Sequence, residues 1–316
     1  MDYRQLGRTN VRVSLLGLGT GGVNRLGQSR DRSREDMRRY IRYALDQGIN
    51  HIDTAPAYME SEALIGEALE GVPRDSYVLC TKVRGGPPGE LRRSLENSLR
   101  KLRTDHVDVT YFHGVTPSQY RETVDKHLPE LQQAQRDGST RFLGVTELYE
   151  RDPSHEMIKM LLADGLFDVF MIGHNMLTPS AIQHVFPEAQ RKKVGIVVMC
   201  AVRSVISNPD ALRQHIREWK DEGALPKDAV PDDKPLDWVL EPDTPAITDA
   251  AYKFAAEHPA VTSVLTGTAD EGHLQANIRA ILGAPLPRET SRRLADIFIP
   301  VNRSVQAGIG HPTNRR

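Results

Sequence analysis

The chain has 316 residues, 39% hydrophobic and 26% charged, and its 41 Lys+Arg against 42 Asp+Glu leave a formal net charge of −1. That balance offers no basic footprint for nucleic acid or an anionic membrane surface. The longest apolar run, Ile196–Val202, is seven residues, far short of the roughly 20 that span a bilayer. Met1–Gln5 has no apolar h-region, and Cys80 and Cys200 sit in apolar runs without a disulfide framework. A protein of a reducing, cytoplasmic compartment is expected.

In chain order, residues 1–13 read as a small hairpin turning at Gly7–Asn10, a plug for the floor of whatever follows. A first strand is expected over Val13–Gly19, then a loop over 23–32, then a helix opening near Ser33, an N-cap with Asp36 three positions on. Further Val/Ile/Phe-rich runs follow at Ile49–Ala55, Tyr77–Val83, Val107–His113, Thr140–Thr146, Phe167–Gly173, Gly195–Cys200 and Val261–Gly267. Helical stripes lie between them. Leu91, Leu95, Leu99 and Leu102 share one helical face, as do Val124, Leu128 and Leu131 in the next.

Strands alternating with helices imply a parallel sheet, because parallel neighbours need a long crossover. Eight such units match a (β/α)₈ TIM barrel, typically about 250 residues. Evenly spaced strands favour closure over an open doubly wound sheet, so one barrel domain over 1–316 is expected. Two segments depart from the repeat. Residues 223–246, with Pro226, Pro231, Pro235, Pro242 and Pro245, read as a long loop inserted before the last strand, and 307–316 as a loose tail.

The first strand ends in Gly17-Leu18-Gly19-Thr20-Gly21-Gly22, which fits G-x-G-x-x-G. The dinucleotide fingerprint also needs a helix opening at the third glycine, and the loop-like 23–32 argues against one. What remains is a stretch, Gly19, Thr20 and Gly21, where backbone can approach a ligand closely at a barrel mouth. Asp53 ends the second strand with Tyr58 shortly after, Lys82 ends the third and His113 the fourth. Barrel enzymes place their chemistry at these carboxyl ends. A lysine pinned by a carboxylate beside a phenol would lower the phenol's pKa from about 10. Such a tyrosine exchanges a proton with an alkoxide or alcohol, and His113 can orient the same oxygen. The set supplies neither hydride nor nucleophile, so a redox cofactor is needed. Arg203, after the seventh strand, reads either as a contact to the cofactor pyrophosphate or as a solvated arginine. His51, Asp53, His113 and His174 also suggest a metal hydrolase, but the Lys82 cation argues against a dication there; no metal site is expected, and His51 is placed one layer down.

With Gly17–Thr20, Asp53-Thr54-Ala55 and Tyr58, Thr81-Lys82, His113, Arg141–Thr146, and Gly267-Thr268 with His273-Leu274 and Asn277, the sequence resembles the aldo-keto reductase superfamily over nearly its whole length. The resemblance implies a nicotinamide cofactor, NAD or NADP, at the mouth, with Asp53, Tyr58, Lys82 and His113 as the catalytic tetrad. It further implies cofactor contacts from Gly267, Thr268, His273 and Asn277. The family's Ser-Asn pair and Gln around the carboxamide align with Thr146, Glu147 and Met171, and its stacking aromatic with Cys200, so only Thr146 keeps its chemistry. Asp270 and Glu271 stand where NADP-preferring members carry basic side chains, which favours NAD. The pattern is similar to the branch of plant L-galactose dehydrogenase and bacterial sugar dehydrogenases.

The expected activity is interconversion of a carbonyl and an alcohol, or an aldose and a lactone, on a small polar substrate. A 6% aromatic content agrees with a sugar or polyol. The altered carboxamide positions motivate an alternative, a redox-neutral lyase or epimerase using Tyr58 and Lys82 with or without retained NAD. A third reading, a cofactor-binding sensor resembling potassium-channel β subunits, is disfavoured by the intact tetrad. Nothing in the sequence specifies an oligomeric state.

Overall fold

A computed structural model describes residues 1–22, 24–30 and 32–304. Strands β1 (Tyr3–Gln5) and β2 (Arg12–Ser14) form an antiparallel hairpin with Tyr3 opposite Ser14, one residue longer than the expected 1–13. Eight parallel strands then close a barrel: β3 (Leu16–Gly19), β4 (His51–Asp53), β5 (Val78–Val83), β6 (Val107–Val115), β7 (Thr140–Glu147), β8 (Val169–Gly173), β9 (Gly195–Met199) and β10 (Val261–Thr266). Each pairs with its sequence neighbour, and β10 completes the ring on β9 and β3. All eight expected strands are staves of this (β/α)₈ barrel.

Strand alternation sorts the side chains into two cores. On β5, Leu79 and Val83 face outward against the helices, while Cys80 joins the interior with Val109, Tyr111, Val169, Met171 and Val197. Leu6, Val11 and Val13 of the hairpin belong to that same interior cluster, so the hairpin closes the floor. Gly7 makes the closure possible. Its φ is +58°, and a Cβ there would stand 2.2 Å from the Gly195 nitrogen.

The helices follow their capping and stripe signals. The helix Arg34–Asp46 begins at Ser33, whose Oγ accepts the Asp36 amide at 3.1 Å. Short 3₁₀ turns over Arg25–Arg30 precede it, so no helix opens at Gly22 and the dinucleotide-fold reading fails. The helix Glu90–Leu102 buries Leu91, Leu95, Leu99 and Leu102. The stripe through Val124, Leu128 and Leu131 lies on a helical stretch that is π-wound over Thr123–His127. Pro129 has no N–H to return to the preceding turn, and the Leu128 amide reaches Thr123 O instead.

The Pro-rich segment 223–246 is packed rather than free. Its Leu225, Val230, Leu236 and Val239 are buried with Leu212, Ile216, Trp219, Phe254 and Phe298 in a second core outside the barrel. The buried ammoniums of Lys220 and Lys253 tie it down, on Val230 O and on Thr244 Oγ1. Trp238 lies under the Arg293 guanidinium, 4.1 Å from its ring centroid, and donates to Pro235 O. The expected tail 307–316 falls outside the described residues. No helix among the described residues is long and apolar enough to cross a membrane.

Two buried histidines make stability sensitive to acid. Burial, with Lys82 as the next cause, lowers His51 to about 4, and burial, with His155 next, lowers His174 to about 3. Below the ordinary histidine pKa of about 6.5, the unfolded chain takes up protons that the folded chain refuses. Unfolding free energy should therefore fall by up to about 1.4 kcal/mol per pH unit for each of them as pH drops from 6.5 toward those values. Urea unfolding at pH 7 and pH 5 reads this slope, and His174→Phe, a fit among Phe186 and Phe254, should flatten it. Equal stability at the two pH values in the native sequence would refute the assignment.

Candidate active site

The carboxyl ends of β4, β5 and β6 bring the four expected polar residues together. Asp53 closes β4 and Lys82 is the penultimate residue of β5, both inward-facing and buried. The Lys82 ammonium donates to Asp53 Oδ1 at 2.7 Å, to Asp53 Oδ2 at 2.6 Å and to the Thr54 carbonyl at 2.8 Å. That carbonyl was not foreseen, since a backbone acceptor leaves no residue-type signal. Tyr58 sits in the turn after β4, its amide bonded to Ala55 O at 3.0 Å. Its ring centroid is 4.9 Å from Lys82 Nζ, and His113 meets it edge-on at 5.8 Å and 88°.

Burial decides the electrostatics. It works against the Lys82 ammonium, yet the Asp53 carboxylate, with Tyr58 beside it, holds the lysine above its ordinary pKa. Burial also pushes the Tyr58 phenol up, while Lys82 pulls it down and Asp53 adds to the rise. The expectation of a lowered phenol is therefore corrected: the cation is there, but desolvation outweighs it. His113 is held down to about 3, by burial first and then by Lys82 and Arg84. It is a neutral imidazole at physiological pH, able to donate from one ring nitrogen.

Gly21 sets the phenol's position from the opposite side. A Cβ on Gly21 would lie 2.6 Å from Tyr58 Cζ, so Gly21→Ala should displace the ring while leaving the barrel intact. A shift of about 1 Å at a reacting group costs on the order of a hundredfold in rate. Near-native thermal stability with normal turnover in this variant would show that the ring does not need its present seat.

The remaining expected residues ring the mouth unevenly. Gly19 and Thr20 lie at the top of β3, with Thr20 Oγ1 donating to Asp53 O. Thr146 Oγ1 accepts the Gly114 amide at 2.7 Å. Glu147 turns away from the mouth: one oxygen accepts the Gly173 amide at 2.6 Å and the other pairs with His155 Nδ1 at 2.8 Å, both groups fully buried. His155 Nε2 continues to Ser180 Oγ at 3.1 Å. Met171 is buried within the barrel. Neither Glu147 nor Met171 presents a free amide-like partner, and the His155–Ser180 network behind them gave no local sequence signal.

Cys200 follows β9 in a left-handed conformation, φ +63°, and burial raises its thiol to about 11. Arg203 pairs with Glu150 and lies over the Tyr149 ring, while its Nε is buried without a partner. Gly267 is exposed with open space around it. Thr268 O accepts the Tyr40 hydroxyl, His273 is exposed, and Asn277 Nδ2 donates to Thr266 Oγ1 at 2.9 Å. His51 is spent in the interior, Nδ1 on Ser263 Oγ at 2.9 Å and Nε2 facing Cys80 Sγ. Among the described residues no cluster of three His, Cys, Asp or Glu could hold a metal.

The chain is similar to known proteins over most of its length. Residues 15–298 match the Aldo/keto reductase family. The chain is 25% identical to an L-galactose dehydrogenase of Arabidopsis thaliana, over 95% of each chain. It is 31% identical to the aldo-keto reductase YhdN of Bacillus subtilis, over 61% of this chain and 60% of that one. The fold is shared with the holo form of an aldo-keto reductase from Bacillus halodurans, TM-score 0.70, at 22% identity over the full length of both chains. With the closed barrel and the match over most of its length, the chain belongs to the aldo/keto reductase family and is an NAD(P)-dependent oxidoreductase.

Proposed function

We propose that the protein interconverts a carbonyl and an alcohol on a small, polar, sugar-like substrate, with Tyr58 exchanging the proton. The observation that carries this reading is the buried Lys82–Asp53 pair, 2.6 Å between charges, seated beneath the Tyr58 phenol at the barrel mouth. Lys82, fixed by three acceptors, stabilises the phenolate left when Tyr58 gives up its proton to the substrate oxygen. His113, neutral, hydrogen-bonds that oxygen and orients it.

The unpartnered Arg203 Nε and the open Gly267 backbone suit a phosphate-bearing cofactor. A nicotinamide supplies the hydride when bound. Gly19, Thr20, Gly21, Arg203, Gly267, Thr268, His273 and Asn277 are the residues proposed to hold it. Asp270 and Glu271, flanking the start of the helix Glu271–Leu282, support NAD over NADP, since carboxylates repel a 2′-phosphate. The L-galactose dehydrogenase relative supports a sugar oxidised at the aldehyde carbon, and the free cysteines suit a reducing, cytoplasmic setting.

Parallel titration with NADH and NADPH, read by cofactor fluorescence, tests this, followed by aldoses and small aldehydes with whichever nucleotide binds. NADH is expected to bind more tightly, and turnover to change NAD(P)H absorbance. Because Glu147 and Met171 present no amide-like partner, a redox-neutral epimerase or lyase remains the second reading. Substrate conversion without net change in that absorbance would select it.

A further inference from the structure

Lys82 is the last inward-facing residue of β5, and Arg84 follows two positions on, just past the carboxyl end of the strand at the barrel mouth. β5 runs parallel to β6 with Lys82 opposite Tyr111 and Val83 opposite Phe112. Arg84 and His113 each follow one residue beyond the last paired positions of the two strands, Val83 and Phe112. His113 faces the Tyr58 ring at the mouth, and Arg84, exposed, leaves the end of the neighbouring strand on the same rim. Neighbouring strands lie about 5 Å apart, which puts the base of Arg84 beside the histidine that addresses the reacting oxygen.

The charge of Arg84 is uncompensated. Asp53 neutralises Lys82, Glu150 pairs with Arg203, and Asp270 lies 3.9 Å from Arg32. Arg84 is exposed and has no ion-pair partner among the described residues. Its field reaches His113, where it joins burial and Lys82 in disfavouring the imidazolium. In the segment that follows, Gly85-Gly86-Pro87-Pro88-Gly89, the His127 ring stands against Gly85 and the Glu90 carboxylate against Gly86. Arg84 also lies away from the proposed cofactor residues after β9 and β10: the ring order β10-β3-β4-β5 separates it from β10 by two strands, and β6, β7 and β8 separate it from β9.

We propose that Arg84 determines specificity by binding an oxyanion on the substrate, a carboxylate or a phosphate ester carried a few bonds from the reacting carbonyl. This rests on the carbonyl–alcohol reading of the mouth and narrows its substrate class to anionic aldehydes, ketones or sugars. A planar guanidinium matches either group with paired, charge-assisted hydrogen bonds.

Two probe pairs decide it: 4-oxobutanoate against butanal, and glyceraldehyde 3-phosphate against glyceraldehyde. The charged member of at least one pair should be preferred about 10- to 100-fold in kcat/KM; which pair shows it separates carboxylate from phosphate. Arg84→Met should shrink that preference to within about threefold, mainly through KM, and Arg84→Lys should keep more of it for phosphate than for carboxylate. Independently of turnover, the charged probes should shift the ring resonances of His113 in histidine-labelled protein, and Arg84→Met should abolish the shift. Equal use of charged and neutral members, a preference surviving Arg84→Met, or unmoved His113 resonances would overturn the proposal. Failure of every carbonyl to turn over with either nucleotide would instead sink the oxidoreductase reading of the mouth, with the His113 titration still deciding whether Arg84 binds an anion.

Discussion

Tyr58→Phe is expected to lower kcat/KM by about a hundred- to ten-thousandfold, the range for loss of a positioned general acid or base. The ring itself is retained, so its edge contact with His113 and its seat on Gly21 persist, and stability should change by no more than about 0.5 kcal/mol. The pH dependence carries a sign. Reduction needs the protonated phenol, whose pKa burial has raised, so its rate should hold through neutrality and fall only above the ordinary tyrosine value of about 10. Oxidation needs the phenolate and should rise with pH toward the same point. His113, already neutral above about 3, should add no inflection between. Steady-state rates in both directions across that range, alongside the Phe variant, measure all of this. A Phe variant as fast as the parent would remove Tyr58 from the chemistry.

Lys82→Met should be the most damaging single change to stability. It leaves Asp53 buried without a counter-charge, a loss of about 3–5 kcal/mol for a broken buried pair. The double variant Asp53→Asn with Lys82→Met removes both charges and should recover most of that stability while staying inactive. The contrast separates folding from function. In either Met variant the phenol loses the one nearby group that pulls its pKa down, so any residual alkaline limb in the oxidation profile should move to higher pH. Urea unfolding and pH–rate measurements on the two variants and the parent suffice. Full activity in the double variant would mean that the ammonium has no part in the proton transfer.

Much of the architecture was legible in the amino-acid order because local rules govern it. Most barrel strands are short apolar runs rich in β-branched residues and bounded by turn signals, Ser33 caps its helix through its own side chain, and Leu91, Leu95, Leu99 and Leu102 repeat at the helical period. Asp53, Lys82 and His113 were locatable for the same reason, since a polar residue on the inward face at the carboxyl end of a barrel strand meets the mouth. Side-chain partners set by distant segments were not legible. Glu147 joins His155 and the Gly173 amide, Arg203 takes Glu150, and Trp238 lies under Arg293.

The rise in the Tyr58 pKa is of that second kind: sequence supplied the cation, but how much water the closed mouth admits was settled by packing. Arg84 lies between the two cases, two residues beyond Lys82 in the chain yet meaningful only beside His113 in the neighbouring strand. The chain by itself determined the barrel, its floor plug and the identity of the polar residues at its rim, because hydrophobic period and capping act over a few residues. Only the tertiary structure decided which of those residues are neutralised, which are buried and which remain free to meet a ligand, because charge pairing and desolvation depend on groups that sequence separation does not bring into view.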